Sequence, residues 1–216
     1  IDRLKEHFKP TPYSRRVIMT TGIGESFLAD KIKDWEEALP DFMSLAYLPQ
    51  YGMVRLRLDA RHENEKLLQE CLDNQIQKLK EIISDYIFSY DDKPISEVIV
   101  NMLKERNLSL STAESCTGGS IARMITSVPG CSYIYKGSVI AYDSKVKEEL
   151  LNINHDDIEK YNVVSQEVAE QMAIGARNLM NTDFALSTTG IAGPDGGTEK
   201  NPVGTVCIAL ATPNEV

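Results

Sequence analysis

Apolar residues along this chain switch repeatedly between a spacing of two and a spacing of three to four, the periods of half-buried strands and of amphipathic helices. Arg15 to Thr20 reads as a strand. Gly22-Ile23-Gly24 comes next, then a helix that keeps Leu28, Ile32, Trp35 and Leu39 on one face until Pro40 stops it. Two more strands are expected at 42–48 and 54–58. In the second, Val54, Leu56 and Leu58 alternate with Arg55, Arg57 and Asp59, so one face meets solvent. Gln50-Tyr51-Gly52 supplies the turn between them. A long helix from about 63 to 88 repeats Leu67, Cys71, Leu79, Ile82 and Tyr86. The order β-α-β-β-α describes a small two-layer α/β unit over 14–90. Residues 1–13 read as a short amphipathic piece that Lys9-Pro10-Thr11-Pro12 brings to an end.

Ser89-Tyr90-Asp91-Asp92-Lys93-Pro94 is polar, breaks the periodicity and marks a domain boundary. Pro94 suits the first turn of a helix bearing Val98, Ile99, Met102 and Leu103. Leu108 to Thr112 then alternates, while Ile121, Met124, Ile125 and Val128 fall at helical spacing. Between them, Ala113-Glu114-Ser115-Cys116-Thr117-Gly118-Gly119-Ser120 reads as the corner from strand to helix. A strand at 137–142, a short helix at 145–151, an acidic turn at Asp156-Asp157 and a helix from Ser165 come next. Phe184, Leu186 and Thr188 form a strand ending in Thr189-Gly190, and 204–211 forms the last one. This alternation predicts a three-layer α/β/α domain over 94–216, with a mixed, mostly parallel sheet covered on both faces.

Composition narrows the function classes. With 42% hydrophobic and 25% charged residues, the 216-residue chain is ordinary for a globular protein. No apolar run approaches membrane-spanning length, so no membrane partner is expected. The net charge is −9. There are 14 basic against 17 acidic residues up to position 93, and 9 against 15 beyond it. Neither half has the basic excess that backbone-phosphate binding needs, so no nucleic-acid partner is expected. Cys71, Cys116, Cys131 and Cys207 form no C-x-x-C, which points to free thiols and a cytoplasmic location. His7, His62 and His155 are scattered, which argues against a Ser-His-Asp hydrolase.

Chemistry concentrates at two glycine corners. In the first, Gly118 and Gly119 let the backbone approach a ligand, and the helix start directs N–H groups at an anion or an oxyanion. Ser115 and Cys116 stand just before it. The second corner, Thr188 to Gly197, places four glycines, Gly190, Gly193, Gly196 and Gly197, directly after a strand. Open α/β sheets bind ligands at the carboxyl ends of their strands, so both corners should border one pocket. Tyr142-Asp143-Ser144-Lys145-Val146-Lys147 comes after another strand, and either Lys145 or Lys147 could accept the proton of a serine hydroxyl. Glu114, Asp143 and Asp195 read as caps and turn formers rather than ion ligands. Without a Walker A motif or a metal-ligand cluster, no metal or cofactor is expected.

AESCTGGSIA, YDSKVK, VVS at 163–165 and STTGIAGPDGGTEKNPVGTV occur in an order and spacing that resembles the C-terminal domain of the CinA family over about 95–212. SRRVIMTTGIGESFLADKI, together with the chain up to about residue 90, is similar to that family's KH-like middle domain. The first 13 residues resemble only the tail of its N-terminal domain, which is akin to molybdopterin-binding proteins and carries a separate pyrophosphatase activity. The resemblance implies a nicotinamide mononucleotide deamidase acting on a small-molecule substrate, with homo-oligomers expected. It implies Ser115 as nucleophile, with Tyr142, Lys147 and Thr189 lining the site, and it favours Lys147 over Lys145. Thr117, Gly118, Gly119, Gly190 and Gly193 are the expected substrate contacts. Against the family's pattern, the sequence given is expected to hold only the tail of the N-terminal domain and to reach no further than the part before a final arginine-bearing segment, which the resemblance implies helps complete the fold and pocket. A serine–lysine amidase acting on another amide, and a non-catalytic nucleotide- or RNA-binding module, are the alternatives. The RNA-binding one lacks its GXXG loop, since Gly22-Ile23-Gly24 is one residue short.

Overall fold

The computed structural model describes residues 11–216, which fall into two compact units, one reaching Val98 and one starting at Ile99. The expected helical piece before Pro10 lies outside the described residues. In the first unit, strands β1 (Tyr13–Thr21), β2 (Met43–Gln50), β3 (Met53–Arg61) and β4 (Ile87–Ser89) form an antiparallel sheet in the order β2-β3-β1-β4. Helices α1 (Glu25–Glu37) and α2 (Glu65–Ile83) cover one face. Their Leu28, Ile32, Trp35, Leu68, Leu72 and Leu79 pack on Ile18, Leu56 and Leu58, giving a two-layer α/β unit with its own core. The expected helix over 63–88 is cut short. α2 ends at Ile83, a single 3-10 turn comes after it, and Ile87 to Ser89 pair with β1 as an edge strand. The helical spacing that continued to Tyr86 did not register that Ile87-Phe88 suits a strand.

In the second unit, β5 (Leu110–Glu114) is central. It pairs in parallel with β6 (Tyr135–Ile140) and β7 (Phe184–Gly190), and β8 (Val206–Ala211) closes the edge antiparallel to β7. The sheet is mixed and mostly parallel, in the order β6-β5-β7-β8. Alternation along the strands sends Leu110 and Phe184 to one face, against α3 (Ile95–Glu105) and α4 (Ser120–Thr126). Ala113, Val139, Ala185 and Ala209 face the other way, against α5 (Ser144–Leu151), α6 (His155–Tyr161) and α7 (Gln166–Met180). Helices on both faces make three layers. The small Ala side chains let α7 lie close to the sheet, with Val168, Ala169, Met172, Ala173 and Ala176 fully buried.

Several boundaries moved, two of them for clear local reasons. Residues 155–161, expected as part of an acidic turn, form α6, because Asn154 caps the helix by accepting the Asp156 N–H at 3.0 Å and Ile158 is buried against the core. The last strand starts at Val206, since Gly204 donates its N–H to Ile191 O and belongs to the preceding loop. Among the described residues no helix is long and apolar enough to cross a membrane.

Candidate active site

Ser115 directly succeeds β5 and continues its pairing, its N–H donating to Thr188 O at 3.0 Å. The residue is buried at 7% exposure, so its hydroxyl faces a partner inside the protein. That partner comes from α5, whose N-cap Asp143 accepts the Lys145 N–H at 2.8 Å. The first turn of this helix separates the two lysines that the sequence left unresolved: Lys145 points to solvent and Lys147 is fully buried.

The Lys147 ammonium nitrogen lies 3.2 Å from Ser115 Oγ, 2.6 Å from Ala141 O and 3.4 Å from Tyr142 O. Burial lowers the Lys147 pKa from its ordinary value, against an opposing pull from Asp143. A neutral lysine amine has two hydrogens and one lone pair. With Ala141 O and Tyr142 O accepting the two hydrogens, the lone pair is left for the Ser115 hydroxyl proton. Cys116, the other nucleophile at this corner, is set differently: burial raises its thiol pKa, so the thiol keeps its proton. Tyr142 reaches Lys147 through its main-chain carbonyl, while its side chain is 75% exposed.

The turn after Ser115 departs from the expected anion site. Gly118 and Gly119 take left-handed φ values of 58° and 91°, which reverse the chain within two residues. The Gly118 N–H is consumed, donating to Ser115 O at 3.0 Å. The start of α4 is consumed as well: Ile121 and Ala122 donate their N–H groups to Glu114 Oε2 and Oε1 at 3.0 and 2.8 Å. A carboxylate of the protein's own occupies the helix start that was expected to face a ligand. The N–H groups of Cys116, Thr117 and Gly119 meet no main-chain acceptor among the described residues; those of Cys116 and Thr117 come directly after Ser115 and are directed at the Cys116 thiol.

The second corner supports the first. Thr188 Oγ1 hydrogen-bonds Thr117 Oγ1 at 2.8 Å, tying the two corners together. Thr189 is 1% exposed and donates its hydroxyl to Val163 O at 2.9 Å, so its oxygen is engaged with main chain. Asn201, which lies within the STTGIAGPDGGTEKNPVGTV segment but was not among the expected site residues, donates to Val164 O at 2.9 Å and fastens the 191–204 loop beside the site. A cavity of about 170 Å³ opens here, bordered by Ser115, Cys116, Tyr142, Lys147, Thr189 and Gly190. Gly193 does not border it. Its φ is +80°, and a Cβ there would come 2.5 Å from Val203 Cγ1, so this glycine shapes the loop against Val203. Neither described histidine borders the cavity, and His155 instead pairs with Glu148 at the surface. Among the described residues no group of three His, Cys, Asp or Glu side chains converges.

A mostly parallel three-layer α/β domain that sets a serine hydroxyl against a buried lysine, at the carboxyl ends of its strands, has the arrangement of a serine–lysine site. Comparison with known proteins is specific at the level of family. The chain belongs to the CinA family: residues 92–216 match its C-terminal domain, and residues 15–89 match the damage-inducible protein CinA KH domain. A CinA-like protein of Flavobacterium psychrophilum is 48% identical over 202 residues, covering 93% of this chain and 48% of that protein. One from Cytophaga hutchinsonii is 42% identical over 215 residues, covering 100% of this chain and 51% of its own. The chain thus spans about half the length of these curated relatives. Among solved structures, the competence/damage inducible protein CihA of Agrobacterium tumefaciens matches with a TM-score of 0.55 and 35% identity, over 56% of this chain and 74% of that one. A competence-damaged protein (CinA) superfamily protein of Escherichia coli matches with a TM-score of 0.53 and 31% identity, over 55% and 69%. These findings support a function of the CinA type.

Proposed function

We propose that the second unit hydrolyses the carboxamide of nicotinamide mononucleotide to nicotinate mononucleotide and ammonia. The observation that carries the chemistry is the 3.2 Å contact between Ser115 Oγ and the fully buried Lys147 amine; the substrate is inferred from the family resemblance. Ser115 Oγ attacks the carboxamide carbon as neutral Lys147 takes its proton. The carbonyl oxygen becomes an oxyanion, which the N–H groups of Cys116 and Thr117, next to Ser115 in the chain, stabilise as they turn from the Cys116 thiol to the substrate. Lys147 then passes the proton to the amide nitrogen, the C–N bond breaks and ammonia leaves. Water attacks the resulting ester and gives a proton to Lys147. The C–O bond to Ser115 breaks, and the proton returns to the serine.

The test is ammonia release from nicotinamide mononucleotide, compared between the unaltered chain and its Ser115→Ala variant. Turnover that vanishes with Ser115→Ala is the expected result. Turnover that survives Ser115→Ala and vanishes with Cys116→Ala overturns the reading. One observation favours a second amide substrate: among the described residues the only charged side chain bordering the cavity is Lys147, which is already engaged, so none of them commits the site to a phosphate. Nicotinamide, its riboside and its mononucleotide at equal concentration separate the two readings.

A further inference from the structure

Glu114 immediately precedes the candidate nucleophile and is fully buried. None of the ion pairs among the described residues includes it. An isolated carboxylate in such a place is costly unless hydrogen bonds and a favourable field answer it. Both are present. Its two oxygens accept the Ile121 and Ala122 N–H groups, at the end of α4 where the aligned peptide dipoles are positive. Its main chain is equally committed. Glu114 O accepts the Ala141 N–H at 2.8 Å, and the carbonyl of that same Ala141 holds the Lys147 amine at 2.6 Å. One residue therefore fixes the helix that closes the Gly118–Gly119 turn and the peptide that orients Lys147.

We infer that Glu114 is a positioning residue: its carboxylate serves α4 as a built-in anion, locking the Ser115 turn so that Ser115 Oγ and the Cys116 and Thr117 N–H groups stand ready before any ligand arrives. The inference rests on the reading of Ser115 as nucleophile. It also removes the start of α4 from the places where a substrate phosphate could bind, because that charge position is already taken.

The test uses a fluorophosphonate probe, which reports on the serine without reference to any amide substrate. Ser115 Oγ bonds to phosphorus, fluoride leaves, and Lys147 takes the hydroxyl proton. Glu114→Gln keeps the shape of the side chain but turns an NH₂ toward one of the two helix N–H donors. The expected result is labelling of the unaltered chain at Ser115 and labelling roughly tenfold to hundredfold slower in Glu114→Gln, as small displacements of reacting groups produce. With an amide substrate, kcat should fall by a similar factor while KM changes little. Labelling of folded Glu114→Gln at the unaltered rate overturns the inference, whatever its melting temperature. Should Glu114→Gln fail to fold, Ala122→Pro keeps the carboxylate and deletes one of its two donors in the first helical turn, where proline is tolerated. It too should label more slowly, and an unchanged rate again overturns the proposal. Equal, negligible labelling of the unaltered chain and Ser115→Ala would instead refute the nucleophile reading, and the role of Glu114 would fall with it.

Discussion

Gly175 lies in the interior of α7, where helix propensity alone favours Ala by about 1 kcal/mol. The surroundings reverse that sign. A Cβ at Gly175 would lie 2.9 Å from Leu151 Cα and from its carbonyl carbon, and nearer still to its carbonyl oxygen. Comfortable carbon–carbon contact needs about 3.5–4.0 Å, so α5 would have to retreat by roughly 0.6–1 Å. The obstacle is backbone, and no side chain can swing aside. Overpacking of this kind costs about 1–3 kcal/mol, which cancels the propensity gain of about 1 kcal/mol and leaves Gly175→Ala less stable by up to about 2 kcal/mol. The retreat also moves Lys147, one helical turn before Leu151, and stretches its 3.2 Å contact with Ser115. A misplacement near 1 Å can cost on the order of a hundredfold in rate. Urea denaturation and ammonia release, both measured where the variant is folded, should show a lower midpoint together with a rate reduced by roughly tenfold or more. An Ala variant as stable and as active as the parent would show that α5 does not rest on this glycine.

The site itself yields three further expectations. Ser115→Ala and Lys147→Met should each remove most turnover, and the double variant should be no slower than the worse single one, because nucleophile and base act as a unit; additive losses would separate their roles. Activity should rise with pH as Lys147 loses its proton, with an inflection below the ordinary lysine value of 10.5. Between the folded and unfolded Lys147 pKa values the unfolded chain binds more protons, so stability rises with pH across that window and is lost as pH falls through the folded value. Lys147→Met should flatten this part of a urea-stability profile, and an unchanged slope would show that Lys147 does not titrate there. Gly193→Ala should destabilise the 191–204 loop by about 1 kcal/mol or more through its positive φ and the Val203 clash; a lower melting temperature with unchanged KM is expected, and weakened substrate binding at unchanged stability would place Gly193 in the pocket after all.

Much of this was legible in the chain because alternation and helical spacing are local signals. The Ser115 corner, the parallel sheet and the helix beginning after Pro94 all announced themselves within a few residues. The choice between Lys145 and Lys147 could not be made from spacing, since both sit in one helical turn and only the packing of α5 buries one of them. Glycine pairs before a helix gave the right turn and the wrong occupant. Nothing in AESCTGG says that Glu114, rather than a ligand, answers the helix start, because a strand residue's orientation is known only once the sheet faces are assigned. The anchoring role of Asn201, within a segment already noted, and the short strand β4 were hidden for a related reason: each acts through a partner distant in sequence, Val164 for one and β1 for the other.

Three consecutive residues of β7 each fasten a different part of the domain. The Ser187 hydroxyl bonds Ala169 O on α7, the Thr188 hydroxyl bonds the nucleophile turn at Thr117, and Thr189 holds Val163. Successive side chains of a strand point to opposite faces, so a slip of one residue would hand each hydroxyl to the wrong neighbour. The working geometry is thus encoded in strand register more than in loop shape, and it joins segments 71 residues apart. Such non-local pairing is slow to form and brings little before it is complete. A refolding chain should therefore recover its helices well before its reactive serine, and the return of serine reactivity would serve as a clock for the closing of the sheet.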